Sequence, residues 1–281
     1  MIRKTFHITN DSNEKINIDL RHREDAKEAP AIIIVHGFKG FKNWGFFPDL
    51  SERLAMAGYV TITPNLSRNG IGYDFNTFEN LDLFANNTHS HELNDLQVVI
   101  NNIKEEKIGR RTIDLDRLAL LGHSRGGGTA IIKAAELGDE IKCLVTWSSV
   151  NTFFRFSDEQ IRQWEENGFI EIENSRTKQM MRINKSFWDD LNKNKKRFDI
   201  IKATESLENP TLFIHGAEDE TVHSSSSQEL HDSCSSYVKR LEIIDEASHT
   251  YGITHPMKKE TDAYQTACML TENWFDNYLN V

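Results

Sequence analysis

Short runs of apolar and β-branched residues alternate with longer amphipathic segments along this chain, and that alternation predicts an α/β fold. The run Ala31-Ile32-Ile33-Ile34-Val35 has no polar position. It is therefore expected to be a central strand covered by helices on both faces rather than a half-exposed one. Comparable runs predict strands at 60–63, 118–121, 144–147, 211–214 and 241–244, and the stretches between them predict helices at 48–57, 92–103, 127–137, 225–234 and 260–278. Around Phe6 to Thr9 and Ile16 to Leu20 the apolar positions alternate with polar ones, as in an exposed antiparallel pair at a sheet edge. From 151 to 205 no clear strand pattern is visible, and aromatic and charged residues are interleaved. An insertion at that point of a doubly wound sheet lies over the carboxyl ends of the strands, where ligands bind. A mostly helical cap is expected over 151–205, with 1–150 and 206–281 forming the core.

Composition narrows the function classes. The chain has 281 residues with 43 acidic against 33 basic side chains, a formal net charge of -10. Nucleic-acid surfaces and broad membrane-binding faces both favour Lys and Arg, so neither kind of partner is expected. No segment approaches the roughly 20 apolar residues of a membrane span. Met1 to His7 is basic but has no apolar stretch behind it, which argues against a secretory signal and for a cytoplasmic location. Cys143, Cys234 and Cys268 are widely spaced, so they are expected as reduced, buried thiols without zinc or redox clustering.

The strongest chemical signal is the apolar run into Gly122-His123-Ser124-Arg125-Gly126-Gly127-Gly128. A strand entering G-x-S-x-G and leaving as a helix presents a serine on a sharp, strained turn, with glycines where side chains would collide. Ser124 is the expected nucleophile. One oxyanion donor should be the amide of the residue after it, Arg125. A second is expected from His36-Gly37-Phe38, which follows the 31–35 strand, and is assigned to the Phe38 amide.

In a fold of this kind the acid and base follow the serine in that chain order. The acid should lie in Glu218-Asp219-Glu220, after the 211–214 strand; Asp219 is favoured, with Glu218 and Glu220 as solvated neighbours. Of eleven histidines, His249 follows the 241–244 strand after a short loop and is the expected base, with His255 the competitor. His223 and His231 read as helix-surface residues. Such a triad needs neither metal nor cofactor. Because the base must be neutral, activity is expected to fall below a pH of about 6.5, the ordinary histidine value.

At these residues the chain resembles the α/β-hydrolase superfamily. More narrowly, it is similar to the branch of small carboxylesterases, dienelactone-hydrolase-like proteins and the catalytic domains of prolyl-oligopeptidase-type peptidases. The resemblance rests on the elbow around Ser124, on His36-Gly37-Phe38, on His215-Gly216-Ala217-Glu218-Asp219-Glu220-Thr221-Val222 and on Ala247-Ser248-His249-Thr250-Tyr251-Gly252. It implies a mostly parallel central sheet flanked by helices, the same triad, and hydrolysis of small or medium esters, aryl or cinnamoyl esters among them. A peptidase or thioesterase would share every motif, and a non-catalytic binding module would be marked by a lost triad residue. The expected partner is a small-molecule ester, with a homodimer left open. Arg176 in the cap is a candidate for holding a substrate carboxylate, and Trp147, Trp164 and Trp188 are candidates for lining an acyl pocket.

Overall fold

The computed structural model describes residues 1–72 and 77–279. The chain opens with β1 (Ile2–Thr9) and β2 (Lys15–His22), followed by β3 (Ala29–Val35), α1 (Phe47–Met56), β4 (Val60–Asn65), α2 (Leu81–Ala85) and α3 (His89–Lys104). Then come β5 (Ile113–His123), α4 (Arg125–Leu137) and β6 (Ile141–Trp147). These strands, with β9 (Thr211–Gly216) and β10 (Lys239–Ile244) from the end of the chain, form one eight-stranded sheet in the order β1-β2-β4-β3-β5-β6-β9-β10. β1 and β2 pair antiparallel at the edge, β2 runs antiparallel to β4, and every pair beyond is parallel. The fold is that of an α/β hydrolase.

The apolar run in β3 explains the layering. Successive strand residues point to opposite faces, so Ile33 and Val35 join one apolar cluster with Leu93 and Leu96 of α3 and Ile131 of α4. Ile32 and Ile34 join the other, with Leu50 and Leu54 of α1 and Phe275. A continuous apolar strand is what such two-sided burial requires. Thr88 caps α3, its hydroxyl accepting from the His91 amide at 3.3 Å, which fixes where this 16-residue helix begins.

Between β6 and β9 the chain forms α5 (Asp158–Asn167), β7 (Phe169–Glu173), β8 (Met180–Asn184), α6 (Lys185–Lys193) and α7 (Ile200–Thr204). Three helices lie where helices were expected, but β7 and β8 form an antiparallel hairpin that the reading of 151–205 as strand-free missed. Phe169-Ile170-Glu171-Ile172-Glu173 does alternate with period two. At five residues inside a charge-rich interval, however, the pattern is too short to stand out. Its inward residues Ile170, Met181 and Ile183 pack with Trp164 and Phe187 into a third apolar cluster.

The chain then returns to the sheet through β9 (Thr211–Gly216), α8 (Ser225–Ser233), β10 (Lys239–Ile244) and α9 (Asp262–Tyr278). Among the described residues no helix is long and apolar enough to cross a membrane. The three cysteines are free and buried.

Candidate active site

β5 ends at His123 and α4 begins at Arg125, so Ser124 alone makes the turn between them. It does so with φ 56° and ψ -123°, a combination that costs an L-residue energy and persists only where the surroundings enforce it. The enforcement is visible. The Ser124 amide donates to the Trp147 carbonyl at 2.9 Å, and the Ser124 carbonyl accepts from the amides of Gly127 (2.9 Å) and Val150 (3.3 Å). Close approach on the far side depends on Gly126, where a Cβ would lie 2.4 Å from the Val35 carbonyl oxygen.

Asp219 and His249 arrive from the ends of β9 and β10. His249 Nδ1 lies 2.7 Å from Asp219 Oδ2, which leaves Nε2 as the nitrogen available to take a proton. Asp219 is buried, whereas Glu218 and Glu220 are exposed. Burial pushes the Asp219 carboxyl up, but hydrogen bonds from His215 and His249 and the Val222 amide more than reverse this and hold it well below the usual carboxylate range. His255, the competing base, has no such partner among the described residues. Its Nδ1 accepts from the Gly45 amide at 2.9 Å, and its ring sits against Phe41 and Trp44.

Two further histidines hold these groups in place, and sequence spacing gave neither a hydrogen-bonding role. His215 is fully buried; its Nε2 contacts the Val222 carbonyl at 2.8 Å and Asp219 Oδ2 at 3.1 Å, and its Nδ1 meets the Ser227 hydroxyl at 2.7 Å. A nitrogen facing a carbonyl must carry the proton, so His215 donates at Nε2 and braces the carboxylate. His123 donates from Nε2 to the His249 carbonyl at 3.0 Å. Burial and the neighbouring His249 depress its pKa to about 3, so it serves as a neutral tether. The signal for both was their place at strand ends beside the expected triad.

The loop after β3 comes beside the serine. A Cβ on Gly37 would sit 2.9 Å from both the His123 carbonyl oxygen and Ser124 Cβ, so only glycine admits this approach. His36 pins the loop, its Nδ1 donating to the Gly37 carbonyl at 3.0 Å while its Nε2 accepts from Leu66 at 3.4 Å. Neither the Phe38 nor the Arg125 amide donates a hydrogen bond among the described residues, which leaves both donors unspent. Their side chains are joined. The Arg125 guanidinium lies 4.3 Å from the centroid of the Phe38 ring and pairs with Glu92 at 2.6 Å. Glu92 is buried; burial raises its carboxyl pKa, and the charge of Arg125 with the contacts of His89 and Asn87 together more than reverse that, taking it down to about 2.

Ser124, Arg125 and His249 open onto a cavity of about 670 Å³ whose wall includes Phe38, Phe153, Phe156 and Phe187. Arg176 also lines it, with its guanidinium 5.6 Å from the Phe41 ring. The three tryptophans expected there do not. Trp147 is fully buried on the α1 and α9 side of the sheet, its indole N–H donating to Thr271 Oγ1 at 2.9 Å. Its position is the last of β6, and strand alternation turns the side chain away from the cavity. Trp164 lies inside the cap cluster, donating to the Ile183 carbonyl at 2.9 Å and stacked on Trp188 with ring centroids 5.6 Å apart. The phenylalanines packed around that pair form the wall instead, with Trp44 from the loop after β3.

Comparison with known proteins agrees with this layout. The model of the prolyl oligopeptidase family matches residues 48–281, while no curated protein sequence matches the chain. Among solved structures, Est1E from Butyrivibrio proteoclasticus superposes with a TM-score of 0.71 at 17% identity, covering 97% of this chain and 98% of its own. Another structure of Est1E contains ferulic acid. A putative hydrolase from Agrobacterium vitis S4 gives 0.77 at 15% identity, covering 98% and 99%. The esterase domain of a Rhodothermus marinus protein gives 0.65 at 18%, covering 99% and 100%. At these identities the likeness establishes the shared fold.

Proposed function

The chain belongs to the prolyl oligopeptidase family, and from that premise we propose that it is a serine carboxylic-ester hydrolase working through an acyl-enzyme. The observation that carries this reading is the 2.7 Å contact of His249 Nδ1 with buried Asp219, on the same cavity as a serine held at φ 56°. In this mechanism Nε2 of His249 takes the Ser124 proton as the hydroxyl oxygen attacks the ester carbonyl. Asp219 fixes the tautomer and steadies the imidazolium. The oxyanion accepts from the Phe38 and Arg125 amides, donors left unspent in the fold, and such preorganised donors are where these sites gain most of their rate. His249 then protonates the departing alcohol, and water repeats the sequence to release the acid.

The phenylalanine-rich wall and the ferulic acid bound by Est1E support aryl-containing esters as substrates. The family match favours a second reading, a serine peptidase on the same triad. Turnover of matched aryl esters, anilides and thioesters tests both. Esters are expected to be cleaved fastest, with all activity lost in Ser124→Ala; preferential anilide cleavage would replace the esterase by the peptidase, and ester turnover unchanged in Ser124→Ala would overturn both. We place the enzyme in the cytoplasm, acting on a small-molecule ester.

A further inference from the structure

The chain as a whole is acidic, yet the cavity wall is not. Lys39, Arg125, Arg155 and Arg176 line it, and among the described residues no aspartate or glutamate does. Drawn at random from this chain, a wall of this many residues would hold about four acids. Arg125 is neutralised from behind by Glu92. Lys39 and Arg155 are not neutralised in that way. The Lys39 ammonium donates to the backbone carbonyl of Glu173 on β7 at 3.3 Å, and Arg155 donates to the backbone carbonyl of Thr221 beside the acid loop at 2.5 Å. Among the described residues neither is in direct contact with a carboxylate, although the charge of Asp219 acts on Arg155 at longer range.

Lys39 is half-buried and Arg155 exposed, so both charges remain available to a ligand in the cavity they line. Burial lowers the Lys39 pKa, with no acid opposing it. The backbone at Lys39 also stands at φ 56°, a conformation that disfavours a residue with a Cβ. A wall that gathers cations and no acid among the described residues of an acidic chain suits an anionic substrate. The two cations stand on different elements, Lys39 next to the oxyanion-donor loop and Arg155 on the segment after β6. An anion entering beside Ser124 therefore meets positive charge from two sides. A guanidinium already bonded at one N–H keeps others in the same plane for a carboxylate.

Building on the esterase reading, we propose that the substrate is an ester carrying a free carboxylate on its acyl or its alcohol portion, recognised by Lys39 and Arg155. Two matched pairs of substrates test this. Mono-4-nitrophenyl glutarate against 4-nitrophenyl pentanoate places the charge on the acyl side. 4-Carboxyphenyl butyrate against 4-carbamoylphenyl butyrate places it on the alcohol side.

In at least one pair the charged ester should have a kcat/KM about tenfold above its neutral match. That ratio should shrink several-fold from low ionic strength to about 0.3 M salt, where exposed charges are screened. In the Lys39→Gln/Arg155→Gln double variant the ratio should fall toward one. As a second readout, glutarate should slow labelling of Ser124 by a fluorophosphonate while pentanamide does not. Neutral esters matching or beating the charged ones in both pairs would overturn the inference, as would a preference that survives the double variant. If no ester in either pair is turned over, the esterase reading fails as well. Turnover without charge preference refutes only the carboxylate.

Discussion

Replacing Glu92 by glutamine removes one charge from a buried pair while keeping its shape and most of its hydrogen-bonding capacity. Glu92 accepts from Arg125 at 2.6 Å and from Asn87 Nδ2 at 2.8 Å, and both it and the guanidinium are largely withdrawn from solvent. Breaking such a pair leaves the other charge buried and uncompensated, which costs about 3–5 kcal/mol. An independent route gives a similar figure. The Glu92 carboxyl is at about 2 in the folded chain against 4.5 as an ordinary glutamate. At about 1.4 kcal/mol for each tenfold change, that gap is worth about 3 kcal/mol. With roughly 2 cal/mol/K of unfolding entropy per residue and 281 residues, Tm should fall by about 5 °C at neutral pH.

The pH dependence has a definite sign. A carboxyl depressed in the folded state stabilises above its unfolded pKa, and the contribution is lost as pH falls through the folded one. The gap between the parent chain and Glu92→Gln should therefore be full above pH 4.5 and close between 4.5 and about 2. Adding Arg125→Met to Glu92→Gln should recover most of the loss, because no buried charge is then left alone. Thermal and urea melts of the parent, Glu92→Gln, Arg125→Met and the double variant across pH measure all of this. A Tm drop under about 1 °C for Glu92→Gln, or costs that simply add in the double variant, would refute the reasoning.

Three other outcomes follow from the same geometry. His215→Gln should lower kcat by about 10- to 100-fold, the worth of a hydrogen bond to a charged group, with KM little moved, as steady-state ester kinetics would show. Trp147→Ala should cost about 3–5 kcal/mol of stability in denaturant melts, while the ratio of kcat/KM across esters of graded acyl length stays fixed; a changed ratio would return Trp147 to the cavity wall. Gly126→Ala drives a methyl toward the Val35 carbonyl oxygen, so fluorophosphonate labelling of the folded variant should slow sharply; labelling at the parent rate would show that the elbow is not sterically set.

The elements most legible in the sequence were those whose pattern is enforced over many residues. The unbroken Ala31 to Val35 run could only be a two-sided strand, and the 16-residue α3 and 17-residue α9 each bury enough apolar positions to declare a helix. Ser124 was legible because steric demand leaves glycine few substitutes around it. The β7–β8 hairpin was hidden because two five-residue strands carry too few alternations. The tryptophans were misplaced for a different reason. Spacing locates Trp147 at a strand end but not which face it takes, and the face follows from register with β9, where Trp147 lies opposite Ile214. The His123 tether and the Glu92–Arg125 pair join residues 126 and 33 positions apart, contacts that exist only once the sheet is assembled; His215 braces Asp219 only four residues on, through a loop geometry that spacing does not reveal.

The most direct test is to trap the nucleophile. Treated with a fluorophosphonate, the protein should gain one phosphonyl mass, located by peptide mass spectrometry on Ser124; Ser124→Ala should gain none, and His249→Asn should label far more slowly. Labelling at another residue, or equal labelling rates for the parent and His249→Asn, would contradict the account.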